Sequence, residues 1–282
     1  MAVRARIATI LVGHERPVYL EALFKIDAFF EEKLPNVIRC SIIVDNSSPR
    51  CEFERIAPNS VIVGGDNSLR EFSAWDRGLA YLDRTRENPD LVHLATSAFD
   101  SLYTGYLDCF SAKLLDAARR ARAVVGHIDY YDEPIEILGR ESQEWIRSSF
   151  FFAPLEALQA LRSVVSFERP EQLFTDDPSA PFRLDAPISR GLQEFIISWL
   201  TGEGTGQGVV WHSRFELSPE TFPLFRAKTV AILNEHLFSL RLRELGYPVV
   251  DVGWLAGQLA EHPVEKIDWY RSWKVQVSER PE

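Results

Sequence analysis

The stretch SIIVDNSSPR, Ser41 to Arg50, decides how this chain is read. Ile42, Ile43 and Val44 follow one another without a polar break, which is the pattern of a strand buried on both faces. The run stops at an acid, an amide and two hydroxyls before Pro49. Side chains of this kind bond nearby backbone, so Asp45, Asn46, Ser47 and Ser48 predict a sharp turn that ends the strand. A carboxylate in that place also suits a ligand, because it accepts from two donors at once.

Working outward, Arg6 to Gly13 (RIATILVG) reads as a preceding strand, and Val18 to Lys33 carries apolar residues at helical spacing. Ser60 to Gly65 (SVIVGG) predicts a short strand, and Glu71 to Leu82 a helix entered from GGDNSLR. A strand over Asp90 to Ala95 and a helix from Leu102 to Ala118 complete the first half. Strands alternating with helices imply a mostly parallel, Rossmann-like α/β sheet covered on its faces. Ligands of such sheets sit beyond the carboxyl ends of the strands, where Asp45 to Ser48 lie.

The second half is less regular and predicts an α+β arrangement. Ala123 to Tyr131 and Arg147 to Pro154 read as strands, and Leu155 to Leu161 as a short helix. Ser166 to Pro187, rich in proline and acids, predicts a long loop or lid. Helices are expected at Ile188 to Leu200 and Leu224 to Leu245, and a last strand at Pro248 to Val252. The division expected is residues 1–120 against 121–282, within one continuous globular body.

Composition narrows the function classes. With 31 Lys and Arg against 41 Asp and Glu, the chain carries a net charge of -10, unlike a general nucleic-acid binder, which needs a basic face. The 3 cysteines, Cys40, Cys51 and Cys109, have no metal-type spacing, and no apolar leader precedes the first strand. These features predict a reduced, cytoplasmic protein. The aromatic-rich tail Asp268 to Val277 (DWYRSWKVQV) fits either contact with the inner face of a membrane or packing on the body.

The first strand, SIIVDNSSP, GGDNSLREFSAWDRGL and DLVHLA together resemble the donor-binding half of a family-2-like glycosyltransferase of the GT-A fold, of the bacterial surface-polysaccharide type. The resemblance covers Arg6 to Leu107. It implies transfer of a sugar from a nucleotide-diphosphate sugar to a polysaccharide or glycolipid acceptor, by an inverting mechanism. It places Gly13, His14 and Asp45 at the nucleoside, with Asn46 shaping the turn. Asn67, Arg70, Glu71 and Asp76 then fall at the diphosphate and sugar, where a helix start favours anions. Gly78 matches the glycine that ends the family's polar helix face.

One departure stands out. Where the family has two acids that bind a divalent metal, this chain has Thr96, Ser97 and Ala98. Ser97 is left as a donor contact, and Asp100 as a displaced single ligand for Mg²⁺ or Mn²⁺. Ahead of that single ligand stands metal-free transfer, with Arg70, Arg147 or a helix N-terminus stabilising the departing phosphate.

In an inverting transfer a carboxylate deprotonates the acceptor hydroxyl. The family places it near the start of a helix beyond the acceptor strands, which makes Glu194 in ISRGLQEFIISWL the first candidate and Asp185 the second. His127, Asp129, Tyr130, Trp145 and Arg147 cluster an acid, basic side chains and aromatics suited to the polar and apolar faces of a sugar. His212, after the turn GQGVVW, adds a further acceptor contact. Two rival functions stay open: a binding module that has lost its chemistry, and a sugar nucleotidyltransferase, whose glycine- and base-rich first loop VGHERP lacks.

Overall fold

The structure, a computed structural model, describes residues 5–101, 104–202 and 215–281. His212 and the Gly206 to Arg214 part of the GQGVVWHSRF segment therefore lie outside the described residues. The described strands form one 8-stranded sheet in the order β3-β4-β2-β1-β5-β7-β6-β8. They are β1 (Arg6–Gly13), β2 (Ile38–Asp45), β3 (Phe53–Ala57), β4 (Ser60–Gly64), β5 (Leu91–Thr96), β6 (Val124–Ile137), β7 (Arg140–Pro154) and β8 (Val249–Asp251). The pairings β1–β2, β1–β5, β2–β4 and β6–β8 are parallel, while β3–β4, β5–β7 and β6–β7 are antiparallel.

The helices are α1 (Arg16–Lys33), α2 (Arg70–Thr85), α3 (Ala112–Ala121), α4 (Leu155–Leu161), α5 (Arg190–Thr201), α6 (Phe222–Glu244), α7 (Val252–Glu261) and α8 (Trp273–Ser278). Alternation along β1 explains why both sheet faces are covered. Ile7 and Leu11 join a core shared with α1, α3 and α7, whereas Ala8, Ile10 and Val12 join one shared with α2, α4 and α6. Gly78 permits the close approach of α2, since a β-carbon there would stand 2.4 Å from Ile10. A third apolar cluster joins the outer β6–β7 hairpin to α5 and α6.

Most expected elements occur with small shifts at their ends. Of the helix expected over Leu102 to Ala118, Leu102 and Tyr103 lie outside the described residues, and the rest is a 3-10 turn, Gly105–Cys109, followed by α3, whose start is capped by Ser111. The strand at Arg147 extends back to Arg140, and its partner continues to Ile137 through a register shift that absorbs Pro134. The tail packs on the body. Gln276 is 1% exposed and Trp269 and Trp273 are half-buried. Among the described residues no helix is long and apolar enough to cross a membrane.

Candidate active site

The registers Gly13↔Asp45, Asp45↔Gly64 and Val12↔Thr96 bring the carboxyl ends of β1, β2, β4 and β5 to one edge. Asp45 is 5% exposed there, and its carboxylate is filled from within. Oδ1 accepts from the Ser47 amide at 2.8 Å and the Ser47 hydroxyl at 2.6 Å. Oδ2 accepts from Ser48 at 2.9 Å and Tyr19 at 3.0 Å. Burial opposes ionisation, but these hydrogen bonds outweigh it and hold Asp45 below its ordinary value. Four donors match the acceptor capacity of a carboxylate, so Asp45 is the hub of the turn, and a ligand donor would have to displace one of them.

Beside this hub, Asn46 Nδ2 donates to Asn67 Oδ1 at 3.3 Å and to the Arg70 carbonyl at 3.2 Å. Asn46 Oδ1 is buried without a partner among the described residues, and a β-carbon at Gly65 would stand 2.3 Å from it. Asn67 and Arg70 both take left-handed backbone angles, with φ of 51° and 54°. Such angles are costly for a residue like Arg and concentrate at functional loops. His14 is exposed, Ser97 is half-buried with its amide on the Val12 carbonyl, and both sit at the same edge. Asp76 points elsewhere: it accepts from the Ser163 hydroxyl and, at 2.8 Å, from the Val164 amide, fixing α2 to the loop after α4.

The antiparallel strands bring a second group of side chains to this edge. Arg147 grips Asp129 bidentately, Nε to Oδ2 and Nη2 to Oδ1, each at 2.8 Å. His127 Nε2 lies 3.4 Å from the same carboxylate. Burial would raise Asp129, yet its bonds to His127 and Arg147 prevail and keep it well below the usual carboxylate range. The Arg147 guanidinium lies over the Tyr106 ring, 5.6 Å from its centroid.

Against this floor α6 presents Glu235. Its Oε1 accepts from the Ser148 amide at 2.6 Å, and burial pushes the carboxyl up to about 7. The negative charges of Asp129 and Glu71 add to that rise, while the Ser148 bond opposes it. Glu71, at the start of α2, is itself raised by burial and relieved by Arg70 and Lys228. Lys228, on α6, is lowered by burial and then by Arg70. The start of α2 and one face of α6 thus bring charges that act on Glu235 together with the Asp129–Arg147 pair.

The other expected acceptor residues are dispersed. Trp145 is 5% exposed and stacks on His236, centroids 4.2 Å apart, so it is core rather than cleft wall. Tyr130 is 40% exposed and meets Trp273 of the tail. Glu194 is exposed and paired with Arg190 at 2.9 Å one turn away, and Asp185 is exposed and paired with Arg183 at 2.9 Å. No hydrogen bond or ion pair of the described residues joins either acid to Glu235 or to the Asp129–Arg147 pair.

Among the described residues, the turn after β5 offers no pair of acids for a divalent metal. The turn after β5 offers Thr96, Ser97 and Ala98, and Asp100 is held by Lys25 of α1 at 2.6 Å. Among the described residues no group of three or more acids, histidines or cysteines could hold such an ion.

No protein-family model matches the chain, and no curated protein matches it. Among solved structures it is similar to the mannosyltransferase PcManGT from Pyrobaculum calidifontis in complex with GDP-Man and Mn2+. The identity is 13% and the TM-score 0.38, over 99% of this chain and 85% of that one. Likeness at that level leaves function to be argued from this chain's own residues.

Proposed function

We propose that this protein is a glycosyltransferase of GT-A type that moves a sugar from a nucleotide-diphosphate donor to a polysaccharide or glycolipid acceptor without using a bound metal. The observation that carries the reading is Glu235, a carboxyl held near neutrality beside the Asp129–Arg147 pair at the ligand-binding edge of the sheet. Its free oxygen can take the proton of an acceptor hydroxyl as that oxygen attacks the anomeric carbon. Glu235 replaces Glu194 and Asp185 as the preferred base, because both of those are solvated and paired locally.

On the donor side the Asp45 turn, Gly13, His14 and Ser97 frame the nucleoside, and the Asn46–Asn67 contact sets the loop that leads into α2. Arg70 and the first amides of α2 face the diphosphate and stabilise the departing charge. Lys228 adds a second cation. Asp100, held by Lys25, takes no part.

The test is calorimetric titration of the full chain with UDP, dTDP, GDP and CDP, each with Mn²⁺ and with EDTA. Binding of one nucleotide that persists in EDTA and weakens in Arg70→Ala is expected. Absence of binding under every condition would overturn the transferase reading and favour a binding module without chemistry, for which the filled carboxylate of Asp45 is the supporting observation.

A further inference from the structure

β8 ends at Asp251, paired with Gly126, while β6 continues to Ile137. Among the described residues no strand lies beside the outer edge of β6 between Gly126 and the isolated bridge Ile137↔Ile188, and the β6–β7 register shifts between Gly126 and Ile128. A bulge at such a point leaves backbone groups unpaired and re-aims the side chains on either side of it.

Side chains take the place of the missing strand. Asp251 Oδ2 accepts from the Ile128 amide at 2.9 Å, and Arg280 Nη2 donates to the Ile128 carbonyl. The same Nη2 lies 2.8 Å from Asp251 Oδ2. Both polar groups of one peptide residue are thus held by a buried ion pair whose acid is 0% exposed. Asp251 Oδ1 also caps α7 through the Trp254 amide at 3.0 Å. The tail is secured behind it: Gln276 accepts from the Asp251 amide at 2.8 Å, and Glu279 from the Trp254 indole at 3.0 Å.

Ile128 separates His127 from Asp129. His127 Nδ1 lies 3.9 Å from Asp251 Oδ2, and its Nε2 3.4 Å from Asp129 Oδ1. We propose that Asp251 and Arg280 are positioning residues: by clamping the Ile128 backbone they fix the direction of Asp129 and, through it, the bidentate grip of Arg147. The C-terminal segment is then part of the machinery around Asp129 and Arg147 rather than a mere cover for β8. The importance of this for catalysis rests on the transferase reading above, but the clamp itself is testable without it.

The experiment follows the Arg147 Nε–H signal by nuclear magnetic resonance in the full-length protein, assigned by its loss in Arg147→Lys. Wild type, Arg280→Gln and Arg280→Lys are compared, with circular dichroism as the check on folding. Loss or displacement of the Arg147 signal in folded Arg280→Gln is expected, since the amide leaves Asp251 uncompensated and loosens Ile128. An unmoved signal in folded Arg280→Gln overturns the proposal. Should that variant not fold, Arg280→Lys decides: it keeps the charge but loses the guanidinium fork, so a displaced signal supports the clamp and an unmoved one overturns it. If the signal responds while the wild type binds no nucleoside diphosphate, the transferase reading fails and the clamp stands.

Discussion

The Ser148 amide donates to Glu235 Oε1 across 2.6 Å, joining the start of the inner half of β7 to the middle of α6. This bond orients a carboxyl that burial has raised to about 7, and leaves its second oxygen for other work. A group so tuned matches the needs of a general base near neutral pH.

Glu235→Gln keeps the shape of that contact, because an amide oxygen still accepts from Ser148. Sugar transfer is expected to fall by about 100-fold or more, with nucleotide affinity little changed. A variant that transfers at the wild-type rate would remove Glu235 from the mechanism.

The pH dependence follows from the same residue. Glu235 serves as a base only when ionised, so the rate should climb as pH rises through about 7 and level off above it. Initial rates at saturating substrate between pH 5.5 and pH 9, taken as roughly even steps on either side of that value, measure this. A flat profile would show that no group with this environment limits transfer.

Much of this arrangement was legible in the sequence. The buried run Ile42–Val44 and its polar stop pointed to the parallel strand and the turn that ends it, and Arg70 and Glu71 stand in the first turn of α2, with Asn67 in the loop before it. Glu235 was hidden because α6 is apolar on nearly every side, and its buried polar residues Thr229, Asn234, His236 and Ser239 break any simple face. The only signal was Asn234-Glu235-His236 set between Leu233 and Leu237, polar residues without a polar face to occupy. Asp251 and Arg280 were hidden for a different reason. Their meaning depends on where β8 stops beside β6, which is a matter of sheet registry rather than of local pattern.

Asp45 ties stability to its hydrogen bonds. Asp45→Asn loses acceptors for Ser47 or for Tyr19 and Ser48, and unfolding free energy should drop by about 2 kcal/mol. Because the folded value lies below 3.8, this contribution is present above pH 3.8 and is lost as pH falls through the lowered folded value. Urea denaturation at neutral pH and near that threshold checks it. A wild-type midpoint in Asp45→Asn would show the turn to be held by other contacts.

Acid should also act through two core histidines. His93 is 0% exposed, with Nδ1 at 3.2 Å from the Thr9 hydroxyl and Phe150 and Phe152 packed on the ring. Burial, with a further push from Arg39, holds it well below 6.5, and burial lowers His236 to about 4. Both rings are neutral in the folded protein and bind a proton more readily once it unfolds. Their contribution is therefore complete above pH 6.5 and is lost as pH falls below it, over the range down to about 4 for His236. At about 1.4 kcal/mol for each pH unit, His236 alone accounts for roughly 3 kcal/mol over that range. His93→Leu fits the aromatic surroundings and cannot take up a proton, so the fall in unfolding free energy between neutral pH and pH values of about 5 should be shallower in this variant than in wild type. Equal slopes would mean that the His93 ring finds a way to be protonated within the fold, and that its burial between the phenylalanines does not govern the acid response.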